Sequence, residues 1–351
     1  MQRRDFLHPL HIIQATGAAM GAMDELTNLA DEPAASRDPV PLLQLTRRAM
    51  ATNFELLLPY GLPEAQDAGE AAFALIDQLE SQMTIYRENS EVSRINRFAC
   101  SGPVKIEEGL FRLFQLAQLI HQETQGAFDI TSGPLVKAWG FFKGPPRIPS
   151  LKEREEALKL VGMNHIELDE KKLSVRMKRG MEINLGSIGK GYALDRAARL
   201  LFEQWGIPVA LFQGGHSSVY ALGCQPGEPR GWSVGLQNPE KPGERLGIVY
   251  LKNRGIGTSA ATFKHLEIRG RKLGHILDPR TGWPADALVS ATVLAPTATE
   301  ADALATALFI LGLEGAQQYC TERPEIGAIL FAKGSSKPIL LNVRSEEIEL
   351  N

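Results

Sequence analysis

The chain has 351 residues, 44% of them hydrophobic and 23% charged, with a formal net charge of −3 at pH 7. That much apolar residue is ample for a continuous core, and its Lys and Arg are interspersed with Asp and Glu, so no surface is built for nucleic acid. Cys100, Cys224 and Cys320 are far apart, odd in number and without a CxxC pair, which supports neither a disulfide framework nor a thiolate zinc site.

The N-terminal 41 residues read as a leader and linker. Arg3-Arg4-Asp5-Phe6-Leu7, then a mildly apolar stretch with small residues at Gly17, Ala18, Ala19 and Ala22, predicts a twin-arginine export signal and an address in the periplasm or at the outer face of the cytoplasmic membrane. A disordered tail on a cytoplasmic protein is the alternative, because His8, Pro9, His11 and Gln14 interrupt the apolar region. No later run approaches a membrane-spanning length. Residues 31–41 are rich in Pro, Ala, Ser and charge, so one folded domain is expected over 42–351.

Within it, the first expected element is a strand over 45–58. Ala72, Ile76, Leu79 and Met83 share one face of a helix over 65–83, with Pro63 just before its start. Leu110, Leu113, Phe114, Ala117 and Ile120 do the same for a helix over 109–123. A Gly/Pro-rich loop follows at 140–149, then a short helix over 153–160 and a hairpin over 166–177 turning at Asp169-Glu170. Ala193, Ala197, Leu200, Leu201 and Trp205 form the inner stripe of a helix that ends at Gly206. Strands are expected at 208–213, 232–237, 248–252 and 289–294, a helix over 300–311, and strands at 326–332 and 339–343. Hairpins interrupted by helices, without βαβ alternation, predict an α+β fold.

Four segments carry chemistry. His275-Ile276-Leu277-Asp278-Pro279-Arg280-Thr281-Gly282 gathers an imidazole, a carboxylate, a guanidinium and a hydroxyl around a Pro/Gly turn. Asp302 and Thr306 lie four apart on a helix and share a face, as hard oxygen ligands for Mg²⁺ would. The same residues also fit a structural role, with Thr299 as N-cap, Asp302 as its acidic partner, and Thr306 bonded to the carbonyl four back. Gly186, Gly189 and Gly191 surround Lys190 just before a helix, which suits either a phosphate held by backbone N–H groups or a tight packing turn. Gly126-Ala127-Phe128-Asp129 through Trp139-Gly140-Phe141 is the fourth.

In this order and spacing the four segments resemble the ApbE family of FAD:protein FMN transferases, over about residues 46–343. The resemblance implies a T-fold-like α+β catalytic domain that binds FAD and Mg²⁺ and moves FMN to a Thr or Ser hydroxyl of an acceptor protein bearing a D-x-x-(S/T)-G-A-(S/T) pattern, releasing AMP. It also implies metal ligation by Asp302, Thr306 and the Ser187 carbonyl, and flavin contacts at Met50, Tyr86, Ala127, Phe128, Asp129, Lys190 and Thr281. His275, with Asp278 nearby, takes the catalytic position. Asp278-Pro279-Arg280-Thr281-Gly282 matches the first half of the acceptor pattern, but Trp283 and Pro284 break the rest, so the acceptor is another protein. Departures from the family pattern fall at Ala51, Asn184, His216 and Ala260, where an added Cβ or changed polarity bears on substrate fit. FAD hydrolysis to FMN and AMP, or flavin binding without chemistry, are the competing readings.

Overall fold

The computed structural model describes residues 40–351 apart from 143, 242, 261–264, 269–270 and 336. The export segment lies outside the described residues. The expected first strand is two: Leu42–Ala49 (β1) and Thr52–Pro59 (β2) pair antiparallel, with Ala49 opposite Thr52. The chain reverses at Met50 (φ 48°) and Ala51 (φ 62°), a two-residue turn that needs positive φ at both positions.

Six more strands complete the main sheet: Ala210–Gly214 (β3), Ser218–Leu222 (β4), Arg254–Ala260 (β5), Leu288–Ala295 (β6), Gly327–Ala332 (β7) and Ile339–Leu341 (β8). Spatial order follows chain order from β1 to β8, and each neighbouring pair is antiparallel. The architecture is therefore α+β, as expected.

Seven helices lie along the described chain: Ala65–Met83 (α1), Glu91–Phe98 (α2), Glu108–Glu123 (α3), Gly133–Ala138 (α4), Leu151–Leu158 (α5), Gly189–Trp205 (α6) and Ala298–Glu322 (α7). Successive side chains on a strand face opposite ways, and the sheet uses both faces. Phe212, Val293 and Leu330 join the helix-side core with Phe73, Ile76, Leu194 and Phe309. Their neighbours Leu211, Leu294 and Ile329 meet Trp232, Val249 and Ile348 on the other side. There the sheet is covered by a three-stranded layer of Trp232–Gln237, Arg245–Leu251 and Ile348–Leu350.

α7 runs past its expected end at Leu311. Gly312 (φ 72°, ψ −170°) breaks the helix there, and the second half carries Ala316, Tyr319 and Cys320 into the core. The start of α7 lies tight against β5: a Cβ on Gly255 would meet the Ala298 backbone at 2.4 Å, and one on Gly257 the Ala301 carbonyl oxygen at 2.4 Å. Two glycines on the same strand face thus let a helix backbone touch a sheet, which sets the depth of Asp302.

Candidate active site

Thr297, not Thr299, caps α7: its hydroxyl accepts from the Glu300 N–H at 3.1 Å and donates to Glu300 Oε2 at 2.8 Å. Both Thr297 and Thr299 have an acidic residue three places on, and the structure uses the earlier pair. Asp302 is thereby relieved of capping and sits in the second turn, 6% exposed.

Its carboxylate is gripped from two sides. Oδ2 accepts from the Gly191 N–H at 2.8 Å, and Oδ1 from the hydroxyl of fully buried Ser218 at 2.6 Å. The Lys190 ammonium stands 3.7 Å from Oδ2. Thr306, one turn on, has its hydroxyl 3.1 Å from that of Ser259 on β5.

Gly191 is the third residue of α6, so its N–H is one of the first-turn donors without a partner inside the helix, and it goes to Asp302. The Ser187 carbonyl, just before the helix, accepts from no donor among the described residues. The resulting donor set is one carboxylate, hydroxyls and a free backbone carbonyl. That fits a small hard cation, which keeps room for water and phosphate oxygens. It does not fit zinc: among the described residues no group of three or more His, Cys, Asp or Glu is placed to hold a metal.

The glycine loop itself is a packing device at one of its positions. A Cβ on Gly191 would stand 2.0 Å from the Ala298 carbonyl oxygen, so α6 and α7 touch there backbone to backbone. From α6, Asp195 reaches the first turn of α7 and accepts from the N–H groups of Ala298 and Thr299, each at 2.8 Å, and from the Thr299 hydroxyl. Burial raises the Asp195 carboxyl, these donors offset part of the rise and the charge of Asp302 adds to it, leaving it pushed up to about 6.

The DPRTG turn is built as a rigid loop. Gly282 (φ 71°) donates its N–H to the Asp278 carbonyl at 2.7 Å, and the Asp278 N–H returns to the Trp283 carbonyl at 2.8 Å. The Asp278 carboxylate is taken by Arg280: its backbone N–H, Nε and Nη2 all donate at 2.9 Å. Trp139 Nε1 donates to the Gly282 carbonyl at 2.9 Å, and Trp139 packs with Leu135, Ala157 and Leu277. The Trp-Gly-Phe segment thus buttresses the turn from below. His275 precedes it, directly after the strand Arg271–Gly274, and Thr281 is exposed. The connection from β5 to β6 that carries both leaves the sheet just beyond Ser259, at the end where that residue meets Thr306.

Two clefts flank these elements. One, of about 370 Å³, is lined by Tyr86, Lys137, Phe142, Glu182 and Asn184 among others. Tyr86 is 70% exposed and stacks on Phe142, ring centres 5.4 Å apart. Asn184 turns its side-chain carbonyl to the Gly186 N–H at 2.9 Å, which shapes the loop before Ser187. The other, of about 450 Å³, is lined by His121, Asp129 and Arg280 among others. Here Asp129 accepts from the Thr131 N–H and hydroxyl and from the Met163 N–H, and lies 3.2 Å from His121 Nδ1. Burial lowers the His121 pKa, but the Asp129 bond and charge and the Phe128 carbonyl outweigh it and hold it above its ordinary value. Ala127 and Phe128 are fully buried, backbone included.

A sequence model of the ApbE family matches residues 50–330. The chain belongs to the ApbE family. It is 34% identical over 257 residues to a FAD:protein FMN transferase of Klebsiella pneumoniae, covering 71% of this chain and 73% of that protein. To one of Escherichia coli K12 it is 33% identical over 284 residues, covering 78% and 80%. Among solved structures, the ApbE protein of Thermotoga maritima superposes with a TM-score of 0.77 at 29% identity, covering 88% of this chain and 96% of that one. A Pseudomonas stutzeri flavinyl transferase ApbE does so with a TM-score of 0.73 at 26% identity, covering 85% and 93%. The chain is an enzyme of the transferase class.

Most of the expected ApbE site residues fall into three groups in the structure, with Asp129 on the second cleft. Lys190, Asp302 and Thr306 gather around the start of α7, Tyr86 lines the first cleft, and Asp278 with Thr281 forms the turn. Met50 belongs to the β1–β2 turn, which meets the β3–β4 turn where the Gly215 N–H donates to the Asn53 carbonyl at 2.8 Å. His216, in that second turn, is exposed. Sequence reasoning missed Ser218, Ser259 and Asp195. Ser259 stands in Thr258-Ser259-Ala260 and Asp195 closes the segment that begins with the glycine loop at Asn184, whereas nothing adjacent marks Ser218.

Proposed function

We propose that this chain moves FMN from FAD to a Ser or Thr hydroxyl of an acceptor protein, with Mg²⁺ as its cation. The carrying observation is the buried Asp302 carboxylate, held by the Gly191 N–H and the Ser218 hydroxyl. The bond broken joins the FMN phosphorus to the bridging oxygen of the FAD pyrophosphate, and that oxygen departs with AMP. The bond formed joins the FMN phosphorus to the acceptor oxygen, and AMP leaves.

Bound Mg²⁺ supplies charge neutralisation on the pyrophosphate. Asp302, Thr306 and the Ser187 carbonyl would hold it. Lys190 lends a point charge to the phosphates. Tyr86 offers an aromatic face to the flavin ring, and Met50, Thr281 and the Ala127-Phe128-Asp129 segment complete the FAD contacts. His275 accepts the proton of the attacking hydroxyl. Asp278, with both oxygens committed to Arg280, shapes the turn that presents His275 and Thr281. The acceptor carries a D-x-x-(S/T)-G-A-(S/T) segment, and the leader exports the enzyme to meet it; no described helix is long and apolar enough to cross a membrane.

AMP release from FAD, measured with and without an acceptor peptide and with Mg²⁺ or a chelator, tests this reading. Release that needs both Mg²⁺ and the peptide supports transfer. Equal release without peptide indicates hydrolysis, and none under any condition indicates a flavin binder.

A further inference from the structure

The starts of α6 and α7 satisfy each other. A helix N-terminus leaves its first N–H groups without partners inside the helix. Two of those on α7, at Ala298 and Thr299, go to Asp195 on α6. One on α6, at Gly191, goes to Asp302 on α7. Each helix therefore lends a carboxylate to the N-terminus of the other, and their backbones touch between these bonds, at Gly191 and Ala298. Asp195 adds a third bond from the Thr299 hydroxyl, so both of its oxygens are engaged.

We propose that Asp195 is a positioning residue for the cation site. It fixes the axial position of α7 against α6, and through that the placement of Asp302 against Gly191. Its bonds to the Ala298 and Thr299 backbone anchor α7 three and four residues before Asp302, so a slip of α7 along α6 cannot leave the Asp302–Gly191 bond intact. The Thr297 cap, by contrast, is internal to α7 and fixes nothing relative to α6. An Asn at 195 keeps one accepting oxygen but turns an N–H₂ toward a donor, breaking one of the two backbone bonds without changing size. The link to a cation rests on the function proposed above; the link to Asp302 does not.

The test is amide hydrogen exchange of the full chain without metal, combined with calorimetric titration of Mn²⁺ alone, for wild type, Asp195→Asn, Thr299→Val and Tyr319→Phe. Thr299→Val removes only the hydroxyl bond and serves if Asp195→Asn does not fold. Tyr319→Phe loosens the far half of α7 by removing the hydroxyl that donates to Glu123 at 3.0 Å. Exchange at Gly191, on the other helix, is expected to quicken by about tenfold or more in Asp195→Asn and less in Thr299→Val, and to stay unchanged in Tyr319→Phe. Mn²⁺ affinity should fall by about 10-fold to 100-fold in Asp195→Asn, as for residues that orient metal ligands. Quickened exchange confined to Ala298 and Thr299, with Gly191 unmoved, overturns the positioning role. Wild type that binds no Mn²⁺ while Gly191 responds to Asp195→Asn overturns the cation site and leaves the positioning of Asp302 standing.

Discussion

Replacing Gly191 by Ala distinguishes a glycine kept for helix contact from one kept for phosphate approach. The added Cβ would stand 2.0 Å from the Ala298 carbonyl oxygen and 2.4 Å from its carbon, against 3.4 Å for an ordinary contact. The obstacle is backbone, so no side chain can swing aside and α7 must move off α6. The 2.8 Å bond from Gly191 to Asp302 then stretches beyond reach. Overpacking costs about 1–3 kcal/mol and a lost bond to a carboxylate about 1.5–3 kcal/mol. Together that is about 2.5–6 kcal/mol, a large share of the roughly 5–15 kcal/mol that holds a typical domain. Gly189→Ala is the control: the nearest atom to its Cβ is the flexible end of Met83 at 3.6 Å, and its effect should lie within about 0.5 kcal/mol. Thermal unfolding of the ligand-free proteins should show Gly191→Ala melting about 10 °C below wild type, and Gly189→Ala beside it. If Gly191→Ala melts with wild type and loses only FAD affinity, the glycine serves a ligand and the packing argument fails.

Asp302→Ala should stay folded yet lose turnover at any Mg²⁺ concentration; its stability should fall by about 1–3 kcal/mol because the buried Ser218 hydroxyl and Gly191 N–H both lose their carboxylate acceptor. Denaturant melts beside turnover assays in excess Mg²⁺ check both, and wild-type turnover would remove the metal assignment. Ala51→Gly relieves a side chain at φ 62° and should raise stability by about 1 kcal/mol, whereas an unchanged midpoint would mean that the turn is not strained. The folded pKa of His121 is raised, so its contribution to stability is complete below the unfolded value near 6.5 and is lost as pH rises through the folded one. The melting-temperature gap between wild type and His121→Gln should therefore narrow from acidic pH to above neutrality, and a gap that widens would contradict the Asp129 pairing.

Elements with an uninterrupted apolar stripe were legible in the sequence. α1 begins and ends where Ala72, Ile76, Leu79 and Met83 place it, and Gly206 (φ 63°) ends α6 as a left-handed C-cap. The β1–β2 hairpin was not, because Met50-Ala51 lacks the Gly or Asn that marks such turns, and the apolar alternation runs across it. α2 escaped because only Val92 and Ile95 are buried in it. β5 escaped because Gly255 and Gly257 stand where apolar side chains would mark the helix-facing side of a strand.

At the site, Asp302 and Thr306 could be singled out, but spacing alone left a cap as good an explanation as a ligand, since Thr297 and Thr299 each precede an acid by three. Ser218 and Asp195 lie 84 and up to 104 residues from the groups they bind. No local pattern encodes such pairings; they arise when the sheet order sets β4 and α6 against the start of α7.

Intact mass of a D-x-x-T-G-A-T peptide after incubation with the enzyme, FAD and Mg²⁺ tests the proposed activity most directly. Transfer adds one FMN, esterified to the peptide with loss of water, and a peptide whose only change is alanine at the acceptor hydroxyl stays unmodified. Unmodified peptide in the presence of folded enzyme, with FAD either intact or hydrolysed to free FMN, would contradict it.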